Sequence, residues 1–169
     1  MNVISIDSPT EEKILWAERT FEKIGPILLK DKGIVRDLEL FKEANKATWD
    51  KMKALGIPQI CSECDKTGGS CCRKRIDRHY DAVMLLINKL LGVQLPHRAL
   101  YQGACFFLGP TGCRLWAREV ICINYLCEKI TAKIPHNEIV SLQKIACKEM
   151  DVLFFLQERL KKLLLGFVP

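Results

Sequence analysis

The chain has 169 residues, 49% of them apolar and 27% charged, with a formal net charge of +6. That length and composition describe one globular domain with a core of its own, and exclude a disordered or fibrous chain. The longest apolar run, Ala82 to Ile87, is six residues, where a membrane span needs roughly 20. The opening residues lack the basic and apolar regions of a signal peptide, so the expectation is a cytoplasmic protein with no membrane partner. The basic excess is too mild for a dedicated nucleic-acid binder.

Ser8-Pro9-Thr10-Glu11 reads as a capping box with proline at the first helical position. It opens a helix over 8–25 that buries Ile14, Ala17, Phe21 and Ile24 and stops at Gly25-Pro26. A second helix is expected over 31–56. Ile34, Leu38, Phe41, Trp49, Met52 and Leu55 share one face, Asn45 interrupts the stripe, and Gly56 with Pro58 ends it. From Gln59 to Arg78 the periodicity vanishes and the segment reads as loop. A third helix follows over about 76–91 with Gly92 as its stop. Pro96, Gly103, Gly109-Pro110 and Gly112 make the next stretch mostly turns. Residues 115–129 read as one short helix. The last helix is expected over 137–165, with Asn137 as N-cap after Pro135 and Ile139, Leu142, Ala146, Leu153 and Leu160 on its buried side. Strand alternation and internal repeats are missing. The expected fold is all-α, a single domain of about four main helices with a cysteine-rich, loop-dominated insertion over 59–129.

Nine cysteines are the unusual feature, and eight lie between Cys61 and Cys127. An odd number cannot pair completely, and a reducing compartment disfavours a disulfide framework. The first group is Cys61-x2-Cys64-x6-Cys71-Cys72; the second is Cys105-x7-Cys113-x8-Cys122-x4-Cys127. A C-x2-C pair converges two thiolates while the intervening backbone turns over them, and its amides can donate to sulfur. Thiolates select zinc, copper(I) or iron–sulfur clusters over magnesium or calcium. The competing reading makes several of the eight small core residues, most credibly Cys105 and Cys122, which have apolar neighbours.

These motifs, with C-F-F-L-G-P-T-G-C-R-L-W-A-R over 105–118 and C-I-N-Y-L-C over 122–127, resemble the bacterial YkgJ-type cysteine-cluster family, described as a zinc- or iron-chelating domain. The resemblance covers about residues 61–127. Cys61, Cys64, Cys71 and Cys72 match its opening group. Cys105, Phe107 and Leu108 match a C-x-F-L segment, and Gly112, Cys113, Leu115, Trp116 and Arg118 a following segment. Cys122, Tyr125 and Cys127 match its close. The chain departs from the pattern in the longer gap before Cys71, in Glu119 where proline is usual, in Ile123 where arginine is common, and in a Cys113–Cys122 spacing one residue short. The resemblance implies a chelating module with Cys61, Cys64, Cys71, Cys72, Cys105, Cys113, Cys122 and Cys127 as metal ligands. An iron–sulfur cluster is preferred to zinc, because adjacent cysteines do not easily reach one tetrahedral ion and the spacings do not repeat a zinc-ribbon knuckle. Two four-cysteine zinc sites are the counter-reading.

Three functional classes follow. The first is an iron–sulfur protein with a redox or substrate-activating role; the second is a zinc-stabilised interaction module without catalysis. The third is a protein-modifying enzyme, since some proteins similar to this family methylate lysines. The partner, protein or small molecule, is open. Cys147 reads as a helical thiol, and His79, His97 and His136 lack metal-ligand spacing. Arg73, Lys74, Arg75 and Arg78 form a basic run that is either solvated or compensates thiolate charge. Glu63 and Asp65 flank Cys64, where either could carry a proton. Hydrolase triads, phosphate-binding glycine loops and H-E-x-x-H are absent from the sequence.

Overall fold

The computed structural model describes residues 3–67 and 69–166. The fold is mostly helical: α1 Thr10–Leu28, α2 Lys32–Ala54, α3 Ile57–Lys66, α4 Ala82–Leu90, α5 Val120–Asn124, α6 Glu128–Thr131 and α7 His136–Gly166. Short 3₁₀ turns occupy Cys71–Arg73 and Ile76–His79. A minimal antiparallel hairpin pairs β1 Leu108–Gly109 with β2 Gly112–Cys113, in the register Leu108↔Cys113 and Gly109↔Gly112. Among the described residues no helix is long and apolar enough to cross a membrane.

α2 packs along α7 and α1 along α4, while α4 also touches α7. α4 lies deepest: Val83, Leu85, Leu86 and Ile87 are fully buried. Each such side chain contributes roughly 1.5–3 kcal/mol by leaving water. Its apolar faces explain why six apolar residues in a row form a short core helix here. A second, smaller cluster of Met52, Ile57, Ile130, Ile134, Ile139 and Leu142 joins α2, α3, α6 and the start of α7.

Several expected boundaries move. The Ser8 capping box does not form: Pro9 is the N-cap, without a side-chain cap bond, and the Thr10 hydroxyl donates instead to Asp77 at 2.9 Å. α1 runs through Gly25-Pro26 to Leu28. Gly25 serves packing there, since a Cβ would stand 2.6 Å from the Phe21 ring, and Pro26 falls in the last turn, where only one bond is forfeited. Gly56 does end α2, in the left-handed region at φ 69°. The segment after it is not loop. Ile57 and Ile60 anchor it to the smaller cluster, so Cys61 and Cys64 ride on a helix. The third expected helix divides at Tyr80–Asp81, because the Asp81 carboxylate caps α4 by accepting from the Met84 amide at 2.7 Å. The single helix expected over 115–129 is two, α5 and α6, parted at Tyr125–Cys127. α7 begins at His136, one residue ahead of the expected cap at Asn137.

Candidate metal centre

Cys61 and Cys64 stand one turn apart on α3, and Cys71 returns to them through the loop that follows. Asp65 closes that return. Its Oδ1 accepts from the Ser70 hydroxyl at 2.6 Å and from Arg73 Nε at 2.9 Å, and its Oδ2 from Arg73 Nη2 at 3.1 Å. The Ser70 hydroxyl, then the Arg73 guanidinium, hold the Asp65 carboxyl below the usual carboxylate range. Cys127, the N-cap of α6, arrives from the far end of the cysteine region as α6 packs on α3. Although the residue is exposed, partial desolvation of its sulfur raises the Cys61 thiol, and repulsion from Cys127, Cys71 and Cys64 raises it further. Burial also raises Cys71, with repulsion from Cys127 and Cys64 opposed by the Lys74 ammonium. Lys129 Nζ lies 3.3 Å from Cys64 Sγ. This outer group reaches solvent: Cys61 is exposed and the other three are half-buried.

The inner group forms around the hairpin. The Cys105 amide donates to the Cys72 carbonyl at 2.6 Å, and the Leu108 amide to the Cys105 carbonyl at 3.1 Å. The hairpin register then brings Cys113 opposite Leu108, and α5 carries Cys122. Burial pushes Cys72 up to about 11 and Cys105 and Cys122 up to about 12. Repulsion couples each of the four to the others, and Cys72 also feels Cys61 on α3 and its neighbour Cys71. The Phe107 amide beside Cys105 and the Leu115 amide beside Cys113 oppose the rise by favouring the thiolates. All four pack in or against the main core.

The structure therefore regroups the sequence. Cys72 leaves the first run for the inner group, and Cys127 leaves the second for the outer. The cysteine pair Cys71-Cys72 is the joint between them.

Polar side chains that the sequence does not advertise hold this arrangement. Asn88 is fully buried on α4. Its Nδ2 donates to the carbonyls of Met84 and Ala117 at 3.0 and 2.9 Å, and its Oδ1 accepts from the amides of Trp116 and Ala117 at 2.9 and 3.1 Å. It thereby pins the segment between Cys113 and Cys122. Arg118, from that segment, is 3% exposed and stacks on Trp49 with its guanidinium 4.2 Å from the ring centre. Its positive charge lowers the cost of a thiolate at Cys113 and Cys122. Arg118 Nη2 lies 3.8 Å from Glu149 Oε1, which accepts from Asn45 Nδ2 at 2.8 Å. Among the described residues Arg118 Nε and Nη2 and Glu149 Oε2 have no hydrogen-bond partner. Tyr80 also faces the inner thiols, buried beneath Phe107 at 4.9 Å between ring centres. Burial raises its phenol, and Cys113, Cys122 and Cys105 add to the rise.

The remaining candidates fall outside both groups. Cys147 is exposed on α7, His97 lies 3.4 Å from Glu18, and His79 lies near Glu119. His136 opens α7. Of the basic run, Arg73 pairs with Asp65 and Arg75 with Asp77, leaving Lys74 as the residue whose charge acts on Cys71. Glu63 pairs with Lys133 at 3.7 Å. Gly68 lies outside the described residues.

Neutral thiols in apolar surroundings do not ionise unaided. A soft cation would reverse that balance, and the donor set fits one: sulfur ligands, backbone amides near two of them, a buried cation, Arg118, beside the inner group and exposed ones, Lys129 and Lys74, beside the outer. As they stand, no three Cys, His, Asp or Glu side chains among the described residues converge tightly enough to hold a single ion. Comparison with family models, curated proteins and solved structures finds no match for this chain.

Proposed function

We propose that this chain is a metal protein whose cysteines hold a thiolate-bound centre, an iron–sulfur cluster with a redox or substrate-activating role. Its ligands would be drawn from Cys61, Cys64, Cys71, Cys72, Cys105, Cys113, Cys122 and Cys127. The observation that carries the reading is the gathering of thiols from separate stretches of chain, with a buried cation, Arg118, beside Cys113 and Cys122 and only Glu149, 3.8 Å away, as its carboxylate partner. A guanidinium 3% exposed, with two donors unpartnered among the described residues, is costly beside neutral thiols. It suits a centre that carries negative charge. The resemblance to the YkgJ-type family points to the same chemistry.

When bound, an iron–sulfur cluster would supply one-electron transfer or an electrophilic iron. The chain's own part is to exclude water around Cys72, Cys105, Cys113 and Cys122, to donate amide hydrogen bonds to sulfur, and to offset charge with Arg118, Lys129 and Lys74. A tetrahedral zinc draws its sulfurs to about 3.8 Å from one another. A cluster of several irons accepts a wider ring of thiols, which supports iron–sulfur for groups as open as these. Zinc is the second reading, favoured by one observation. Cys71 and Cys72 join different groups, so neighbouring cysteines need not share an ion.

Anaerobic purification followed by iron, zinc and acid-labile sulfide analysis tests the proposal. Iron and sulfide in near-equal amounts, with broad absorption near about 400 nm, is the expected result. Stoichiometric zinc in a colourless, sulfide-free sample would replace the cluster with a zinc-held interaction module.

A further inference from the structure

We infer that the eight thiols make two separate four-thiol metal centres, an outer one from Cys61, Cys64, Cys71 and Cys127 and an inner one from Cys72, Cys105, Cys113 and Cys122, joined back to back by the Cys71–Cys72 peptide. The inference rests on the metal-binding reading above and adds stoichiometry, ligand partition and a division of labour. Neither run of cysteines in the sequence contains either set.

Packing separates seven of the eight. Cys105 lies within the main core, and Cys72, Cys113 and Cys122 pack against it. Cys127 packs against the smaller cluster, to which Ile57 and Ile60 tie the helix bearing Cys61 and Cys64. Hydrogen bonds follow the same division. The Cys105 amide reaches the Cys72 carbonyl at 2.6 Å, whereas the Asp65 clamp draws Ser70, the residue before Cys71, toward α3 at 2.6 Å. Adjacent side chains in the 3₁₀ turn Cys71–Arg73 stand about a third of a turn apart, which lets the two neighbours serve different groups.

The two centres face different surroundings. The inner one is walled by Tyr80, Phe107 and Leu115, all buried, with a charge partner in Arg118, also buried. It is a closed, fold-holding site. The outer one opens to solvent at Cys61 and is touched by Lys129, an exposed and movable cation. It is the site where metal exchanges and where a partner or an electron would arrive.

The test compares the full-length wild-type chain with Cys61→Ser/Cys127→Ser and with Cys113→Ser/Cys122→Ser, all prepared anaerobically. Metal and sulfide per chain are measured, then metal loss to excess EDTA is followed over time. Wild type is expected to lose metal in two phases of equal amplitude. The outer variant is expected to keep half the wild-type metal, retain its helical circular dichroism, and lack the fast phase. The inner variant should be the one that loses helical structure. If instead the outer variant loses all its metal, keeps all of it, or wild type empties in one phase, the pair is overturned while the metal reading stands. Wild type free of thiolate-bound metal overturns both. Because the outer variant leaves the main core untouched, misfolding of the inner variant does not blunt the test.

Discussion

The inner thiols, Cys72, Cys105, Cys113 and Cys122, and the outer ones, Cys61, Cys64, Cys71 and Cys127, are the same chemical group and differ in what supports them. Inner positions are set by fully buried groups: Asn88, which meets backbone on both sides of a turn, and Arg118, stacked on Trp49 above Glu149. Outer positions are set by a partly exposed ion pair, Asp65 with Arg73, and an exposed hydrogen bond from Lys129 to Cys64. Buried polar contacts are costly to break because the partners left behind cannot turn to water. Exposed ones are weak and screened by salt. Rigidity is therefore invested in one group and adaptability in the other.

Four substitutions probe that contrast. Asn88→Ala should have the largest effect. It strands the amides of Trp116 and Ala117 and the Ala117 carbonyl in the core, for a loss of about 4 kcal/mol in urea unfolding; a loss under about 1 kcal/mol would mean that the inner segment is not pinned as described. Arg118→Met comes next. It leaves Glu149 buried without its cation and should cost about 3 kcal/mol, with inner metal lost faster to chelator. Adding Glu149→Gln should restore part of the stability without restoring the slow metal phase. A double variant that recovers both would reduce Arg118 to a packing residue.

Asp65→Asn acts on the outer group. Global stability should change by less than about 1 kcal/mol, yet the fast phase of metal loss should quicken several-fold as the Ser70 and Arg73 contacts loosen. An unaltered fast phase would remove Asp65 from the support of Cys71. Lys129→Ala should be the mildest, with a roughly twofold faster outer loss at low salt that disappears in about 0.5 M salt. The slow phase should not respond to either substitution.

The sequence carried the long helices well, because an apolar stripe needs only periodicity. Asp31 caps α2 by accepting from the Ile34 amide at 2.9 Å, and Gly56 stops it, both local chemistry. α3 was hidden because its inward face is short, Ile57 and Ile60 alone, followed by cysteines, serine and acids that carry no hydropathy signal. The capping box at Ser8 failed for a tertiary reason: Thr10 finds Asp77, far along the chain. Within the cysteine-rich region the thiols were legible and their grouping in space was not. Cys71 and Cys72 look like one unit in a linear reading, and Cys127 looks like the partner of Cys122. Only the packing of α6 on α3 and of the hairpin on the core sends them apart. Asn88 reads as one polar residue on an apolar helix until the turn it holds is seen, and Lys129 as an ordinary surface cation.

Site-resolved alkylation tests the account most directly. Native protein, prepared anaerobically, would be treated with iodoacetamide before and during metal removal, and each cysteine quantified by mass spectrometry. The account predicts that Cys147 alone reacts at the start. Cys61, Cys64, Cys71 and Cys127 should then become reactive together with the first metal lost, and Cys72, Cys105, Cys113 and Cys122 together with the second. Thiols that follow their order in the chain, with Cys72 appearing beside Cys71 and Cys127 beside Cys122, would contradict it.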